Sequence, residues 1–281
     1  DRFMSRGVNM SLNYVLDDLK YVVERLRDPE TGCPWDTQQN FESLQHYLLE
    51  EVYEVIDAIS SKNFIGLREE LGDLLFQIIF LAQIGQERGL FDFDKVVDGL
   101  TKKLIDRHPH VFPNGSLTSI PSGQNKIPSS KLMDYWEQKK IKKRQESGLQ
   151  SVLDDVPSAM PALMRAGKLQ KRASLLGLDW SNRENVLNKI SEELDELKSE
   201  IEFSDSKSIS MELGDLLFSC VNLARKLSVD PEKSLRQSNE KFSNRVKYIE
   251  SLADFDKLKA MSAEKLNALW DNAKKNEDYY S

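Results

Sequence analysis

One pattern is written twice in this 281-residue chain, and it constrains the fold more than any other feature. Glu50-Glu51-Val52-Tyr53-Glu54 followed by Glu70-Leu71-Gly72-Asp73-Leu74-Leu75-Phe76 returns as Glu192-Glu193-Leu194-Asp195-Glu196 followed by Glu212-Leu213-Gly214-Asp215-Leu216-Leu217-Phe218. The steps from Glu51 to Glu193, Glu54 to Glu196, Glu70 to Glu212 and Asp73 to Asp215 are each 142 residues. Neither copy has gained or lost a residue between its four acids. The chain is a tandem duplication of one unit.

Wound at about 3.6 residues per turn, the first segment of each copy is an amphipathic helix. In the first copy Leu48, Leu49, Val52, Val55, Ile56 and Ile59 form an apolar arc, with Glu50, Glu51, Glu54 and Asp57 on the other side. The second segment differs, because Leu71, Leu74, Leu75, Phe76, Ile78, Ile79, Phe80, Leu81 and Ala82 point in nearly every direction and predict a helix buried all round. Only Glu70, Asp73 and Gln77 make a polar stripe; in the second copy it reads Glu212, Asp215, Ser219 and Asn222. A link as short as Ser61-Lys62-Asn63 makes the two helices antiparallel neighbours and turns the acid pairs toward each other.

Carboxylates on a buried helix need a compensating positive charge. No Lys or Arg lies within Glu70–Gln77 or Glu212–Asn222. A lone E-x-x-E is ordinarily a solvated face, but four acids from two facing helices form the all-oxygen ligand set that suits Mg²⁺ or Mn²⁺. His46, His108 and His110 do not change the metal chemistry: Ser43, Ile105 and Arg107 stand three residues before them, so a Glu-x-x-His di-iron site is excluded. His108 and His110 are expected to cap a helix end.

This pattern, E-E-x-x-E and then E-x-x-D on the next helix, resembles the all-α nucleoside triphosphate pyrophosphohydrolases. Two copies, with Gly32-Cys33-Pro34-Trp35-Asp36 early, Arg107-His108-Pro109-His110 in the middle and Asn239-Glu240-Lys241-Phe242 late, resemble the MazG family from about Leu16 to Lys274. The resemblance implies attack at the α-phosphorus of a nucleotide, release of pyrophosphate, a catalytic second copy and a homodimer. It also implies that Trp270 and Lys274 meet the nucleotide. Spacing alone does not separate attack at the α-phosphorus from loss of the terminal phosphate.

Helical periodicity is expected over residues 11–27, 43–60, 64–87, 94–106, 132–145, 162–176, 185–203, 208–227, 231–252 and 266–275, with no sustained strand alternation, so the fold class is all-α. Residues 11–111 form the first unit and 161–281 the second. Between them lie a Pro-, Gly- and Ser-containing linker at 112–131 and a connecting basic helix and loop at 132–160. Residues 1–10 read as a polar leader without the apolar core of a signal peptide. The Thr31–Asp36 segment reads as a tight loop with Trp35 as a plug over a core, while the resemblance, which sets this segment beside the acidic site, keeps a substrate contact open. With 39 basic and 46 acidic residues the net charge is −7, which argues against nonspecific nucleic-acid binding. Two cysteines, Cys33 and Cys220, give no disulfide framework, and no apolar run spans a bilayer, so the cytoplasm is the expected compartment.

The copies differ outside their acids. Lys189, Lys241 and Arg245 of the second correspond to Tyr47, Gly99 and Lys103 of the first, so two of three cations are missing there. Catalysis is therefore assigned to the second copy. Glu193, Glu196, Glu212 and Asp215 are the expected Mg²⁺ ligands, Glu192 the general base beside Glu193, and Glu51, Glu54, Glu70 and Asp73 a second metal-like set. Lys168, Lys171, Arg172, Lys189, Lys241, Arg245, Trp270 and Lys274 are candidates for nucleotide contact; for Lys168, Lys171 and Arg172 a solvated helix face stays equally open, and for Trp270 a place in the core. The function expected is Mg²⁺-dependent hydrolysis of ribo- and deoxynucleoside triphosphates. A nucleotide- or metal-sensing protein without turnover and a helical interaction module are the alternatives; a P-loop ATPase is excluded, as no GxxxxGK[ST] occurs.

Overall fold

The computed structural model describes residues 13–120, 139, 141, 148, 150–179, 182–203 and 206–276. The chain divides into two compact units between residues 136 and 137. All regular structure among the described residues is helical. The leader, most of the linker at 112–131 and nearly all of the basic helix at 132–145 lie outside the described residues; Lys139 and Ile141 are helical.

In the first unit α1 spans Leu16–Leu26, α2 Pro34–Gln38, α3 Gln45–Ser60, α4 Phe64–Glu87 and α5 Phe93–Arg107. Asn63 starts α4 by accepting from Gly66 N at 3.0 Å, and Asp92 starts α5 by accepting from Lys95 N at 2.7 Å. Such caps satisfy N–H groups that the first turn leaves without carbonyls. Helices α3, α1 and α5 pack on α4. Val23, Leu44, Ile79, Phe80 and Ile84 are buried together, with Leu19, Phe41, Tyr47, Phe76, Leu81 and Phe93 packed against them. Burying a side chain such as Phe80 contributes roughly 1.5–3 kcal/mol.

The second unit holds α6 (Ala162–Ser174), α7 (Arg183–Phe203), α8 (Ser206–Lys226), α9 (Pro231–Leu252), α10 (Phe255–Lys259) and α11 (Ala263–Lys275). Pro231 occupies the first turn of α9 behind the cap Asp230, a position where its missing N–H costs nothing. Helices α7 and α6 pack on α8, α9 packs on α6 and α8, and α11 packs on α9. Beside Val186, Val221 and Ala273, the buried set includes Gln170, Arg172, Glu193, Ser219 and Asn222. Ahead of α6, Val156 is buried and Asp155 pairs with Arg172 at 3.1 Å, so the 150–156 segment is fastened to the unit.

Three expectations are corrected. The acid-bearing α4 is not buried all round: its buried residues run from Gln77 to Gly85, while Leu71, Leu75 and Ile78 are exposed. The same holds for α8, where Ser219, Val221 and Asn222 are buried and Met211, Leu213, Leu217 and Phe218 are exposed. Periodicity reports apolar directions but not what covers them, and among the described residues nothing covers these apolar side chains near the acidic end of either hairpin. The Gly32–Asp36 loop contains helix α2, and Trp35 is 49% exposed, meeting the Tyr47 ring edge-on at 5.6 Å, so it is no core plug. His108 does cap α5, its Nδ1 lying 2.7 Å from Leu104 O.

Candidate metal centres and active site

In the first unit, three-residue spacing puts Glu51 and Glu54 on one face of α3 and Glu70 and Asp73 on one face of α4. The antiparallel hairpin brings Glu51, Glu70 and Asp73 together, each offering an oxygen within 4.8 Å of the others. Glu54 lies close enough for its charge to act on Glu51 and Glu70. No Lys or Arg among the described residues forms an ion pair with these four. Burial pushes the Glu51 carboxyl above its ordinary range, and the charges of Asp73 and Glu54 push it further, against a hydrogen bond from Gln77. Glu70 is raised by desolvation and then by Glu54 and Asp73. Gln77 is buried, and its Oε1 has no hydrogen-bond partner. A divalent cation would answer the crowded carboxylates, so these residues fit such an ion.

In the second unit Glu193, Glu196 and Glu212 have oxygens within 4.8 Å of one another. Glu193 is buried; Asp215 is exposed on the next turn of α8 after Glu212 and stands outside that triple. Here a counter-charge exists, contrary to the expectation from α8 alone. Lys189 Nζ lies 2.8 Å from Glu192 Oε1 and 2.9 Å from Glu193 Oε1, bridging them from one turn earlier on α7. These bonds hold the ammonium well above its ordinary range. Glu196 is raised by desolvation and then by Glu193, with Lys189 opposing. Glu192, the expected base, is half-exposed and held at Lys189.

The expected nucleotide ligands fall into separate places. Arg245 lies over the Trp270 ring at 5.3 Å, and Phe242 tilts against the same ring at 5.4 Å, joining α9 to α11. Lys241 is exposed on α9, and Lys274 pairs with Asp271 at 3.1 Å. Lys168 is half-buried and Lys171 exposed on α6. Arg172 is 7% exposed and pairs through Nη2 with Asp155, while its buried Nη1 has no hydrogen-bond partner.

Sequence reasoning passed over several polar groups. Gln170 is buried and donates from Nε2 to Phe218 O at 2.8 Å, while its Oε1 has no hydrogen-bond partner. Asn222 has no exposed surface; its Oδ1 accepts from Arg225 Nη2 at 2.7 Å, and its Nδ2 has no hydrogen-bond partner. Arg225 and Lys226 together hold Asp179. Asn222 was legible as the last member of the α8 polar stripe; Gln170 carried no periodic signal.

Paired helical hairpins, each presenting carboxylates from both arms, have the layout of the all-α nucleotide phosphohydrolases. A model of the MazG nucleotide pyrophosphohydrolase domain matches residues 39–112 and again 181–249, one match on each acid hairpin. The chain is 42% identical over 266 residues to the nucleoside triphosphate pyrophosphohydrolase of Escherichia coli (strain K12), covering 93% of this chain and 98% of that protein. It is 43% identical over 262 residues to a nucleoside triphosphate pyrophosphohydrolase/pyrophosphatase MazG of Thermotoga maritima, covering 92% and 96%. It is also 37% identical over 270 residues to the uncharacterized protein YabN of Bacillus subtilis, covering 95% of this chain and 53% of that one. The chain belongs to the MazG nucleotide pyrophosphohydrolase family.

Proposed function

We propose that the chain hydrolyses ribo- and deoxynucleoside triphosphates to nucleoside monophosphate and pyrophosphate, with Mg²⁺ as its metal and Mn²⁺ as a substitute, in the second unit. The observation that carries the assignment is the Glu193, Glu196 and Glu212 triple with Lys189 beside it, where the first unit has the acids but Tyr47 in place of the lysine. Glu193, Glu196, Glu212 and Asp215 would hold the metal, which would supply charge neutralisation for the phosphates and a more acidic water. Glu192 accepts that water's proton as the oxygen attacks the α-phosphorus. The bond from that phosphorus to the bridging oxygen breaks, and pyrophosphate leaves. Lys189, Lys241, Arg245, Lys168, Lys171, Arg172 and Lys274 offer cations to the phosphates and Trp270 a stacking face. Family membership supports α- over γ-phosphorus attack.

The catalytic unit is assigned to residues 161–281 and its partner unit to 11–111. Exposed Leu71, Leu75, Leu213, Leu217 and Phe218 support a homodimer that covers them. No described helix is long and apolar enough to cross a membrane, and a cytoplasmic location is proposed from the two unpaired cysteines. The test is product analysis with Mg²⁺ and each common NTP and dNTP. Monophosphate and pyrophosphate are expected, lost in Glu193→Ala and largely kept in Glu51→Ala. Orthophosphate would move the attack to another phosphorus, and binding without turnover would make the protein a sensor.

A further inference from the structure

The two acid clusters differ most in what stands where a cation would. In the second unit the place is half taken: Lys189 bridges Glu192 and the buried Glu193, so the strongest potential ligand already carries a positive partner. In the first unit the corresponding residue is Tyr47, whose ring packs against His46 at 3.8 Å and Trp35 at 5.6 Å. Glu51, Glu70 and Asp73 crowd their oxygens within 4.8 Å with no basic partner among the described residues. Gln77 adds an independent sign. It follows Asp73 by one turn of α4 and is buried, and its oxygen has no hydrogen-bond partner, although buried carbonyl oxygens are rarely left so. The second unit has Ser219 at that position, a side chain too short to reach as far.

We propose that the units take up divalent cation by different rules. The first unit binds Mg²⁺ or Mn²⁺ from solution with no nucleotide present. The second binds its metal only together with a nucleotide, because Lys189 holds Glu193 until a triphosphate draws the ammonium away. This rests on the reading that the second unit acts on nucleotides.

The physical sequence is simple. A dication approaching Glu193 alone must displace an ammonium or sit beside it, and either is unfavourable. A triphosphate offers Lys189 several oxygens, frees Glu193 and itself shares the incoming metal. Metal and nucleotide therefore favour each other's binding at the second unit, by the same factor in both directions. At the first unit no cation among the described residues has to leave, so nucleotide makes no difference. Lys189 is on this account a positioning residue that keeps the second cluster closed to metal until substrate arrives.

The experiment counts Mn²⁺ bound to the full chain by electron paramagnetic resonance, alone and with an α,β-methylene nucleoside triphosphate that cannot be cleaved at the α-phosphorus. Wild type is expected to bind one tight Mn²⁺ per chain alone and a second with the analogue. Glu51→Gln or Asp73→Asn removes the nucleotide-independent ion, and Glu193→Gln does not. Lys189→Met binds Mn²⁺ at the second cluster without the analogue, tightened by about tenfold. Metal-free melting temperatures identify which of the two first-unit variants is folded, and that variant carries the test. Two equal ions, or none, in nucleotide-free wild type would overturn the proposal, as would a Lys189→Met protein with unchanged metal count. Pyrophosphate release by wild type is scored separately. Release with both clusters loading alike removes the loading order only, whereas ordered loading without release removes the hydrolase reading only.

Discussion

Where the first unit buries Phe80, the second buries Asn222, 142 residues later; where the first has Ile79, the second has Val221, and Gln77 corresponds to Ser219. The first interior is a continuous apolar cluster from Val23 to Ile84. The second interior mixes Val186 and Val221 with Gln170, Arg172 and Asn222. One hairpin design thus supports two kinds of core. At the acids the contrast reverses: the first cluster has no basic partner among the described residues, and the second is held by Lys189. Apolar burial can hold a hairpin whose carboxylates repel, while a polar interior leaves amide groups in place at a cost in stability.

The largest expected difference between the units is catalytic. Glu193→Gln should slow pyrophosphate release by about ten thousandfold and Glu51→Gln by a few-fold at most, read from initial rates. Equal losses would mean that both units turn over substrate. Next comes the core. Phe80→Ala should lower stability by about 3–5 kcal/mol in urea unfolding, because it opens a cavity among well-packed neighbours. Asn222→Ala should lower it by about 1–3 kcal/mol, chiefly through the acceptor lost to Arg225. Similar costs at both positions would remove the contrast between the cores. Arg172→Met is smaller again, about 1–2 kcal/mol, since Asp155 is partly exposed and can be hydrated when its partner goes.

The smallest effects are in the pH dependence of metal-free protein, and they have opposite signs. Burial raises the Glu51 carboxyl, as do its acidic neighbours, so the folded chain takes up this proton more readily than the unfolded one. Its ionisation therefore lowers stability as pH rises through and above the ordinary value of 4.5, and Glu51→Gln should stabilise metal-free protein at neutral pH but not in acid. For Asp179, burial raises the carboxyl but Arg225 and Lys226 outweigh it, leaving it below its ordinary 3.8. That group stabilises the fold above 3.8 and loses its contribution as pH falls through the depressed value, so Asp179→Asn should flatten the acid limb of a thermal-melt series. A first-unit gain that survives saturating Mg²⁺ would contradict metal binding there.

Much of this architecture was legible because the same signals appear twice. Helix α4 begins and ends where the pattern placed it, since Asn63 caps one end and the apolar period stops at the other; α9 does so behind Asp230 and Pro231. The facing acids followed from three-residue spacing and a short connection. Helix α2 did not, because five residues are too few for a period, and α10 was missed for the same reason. Exposure of the acidic ends was hidden because a ring of apolar residues looks identical whether a neighbour covers it or not. Lys189 was legible as a cation near the site, but its position four residues before Glu193 was read toward phosphate and not toward the carboxylate it holds. Arg172 was seen on a basic helix, with no sign that Asp155, far outside that helix, would claim it.

That last contact sets where the second unit can be cut free. A fragment starting at Pro161, just ahead of α6, would contain every acid of the second cluster yet strip Asp155 from a guanidinium that is 7% exposed and uncover the buried Val156. Starting before Gln150 instead keeps the salt bridge, Val156 and the turn in which Asp154 accepts from Gln150 and Ser151. Autonomy of the second unit is thus decided by a stretch with no helix of its own, which serves as that unit's outer hem.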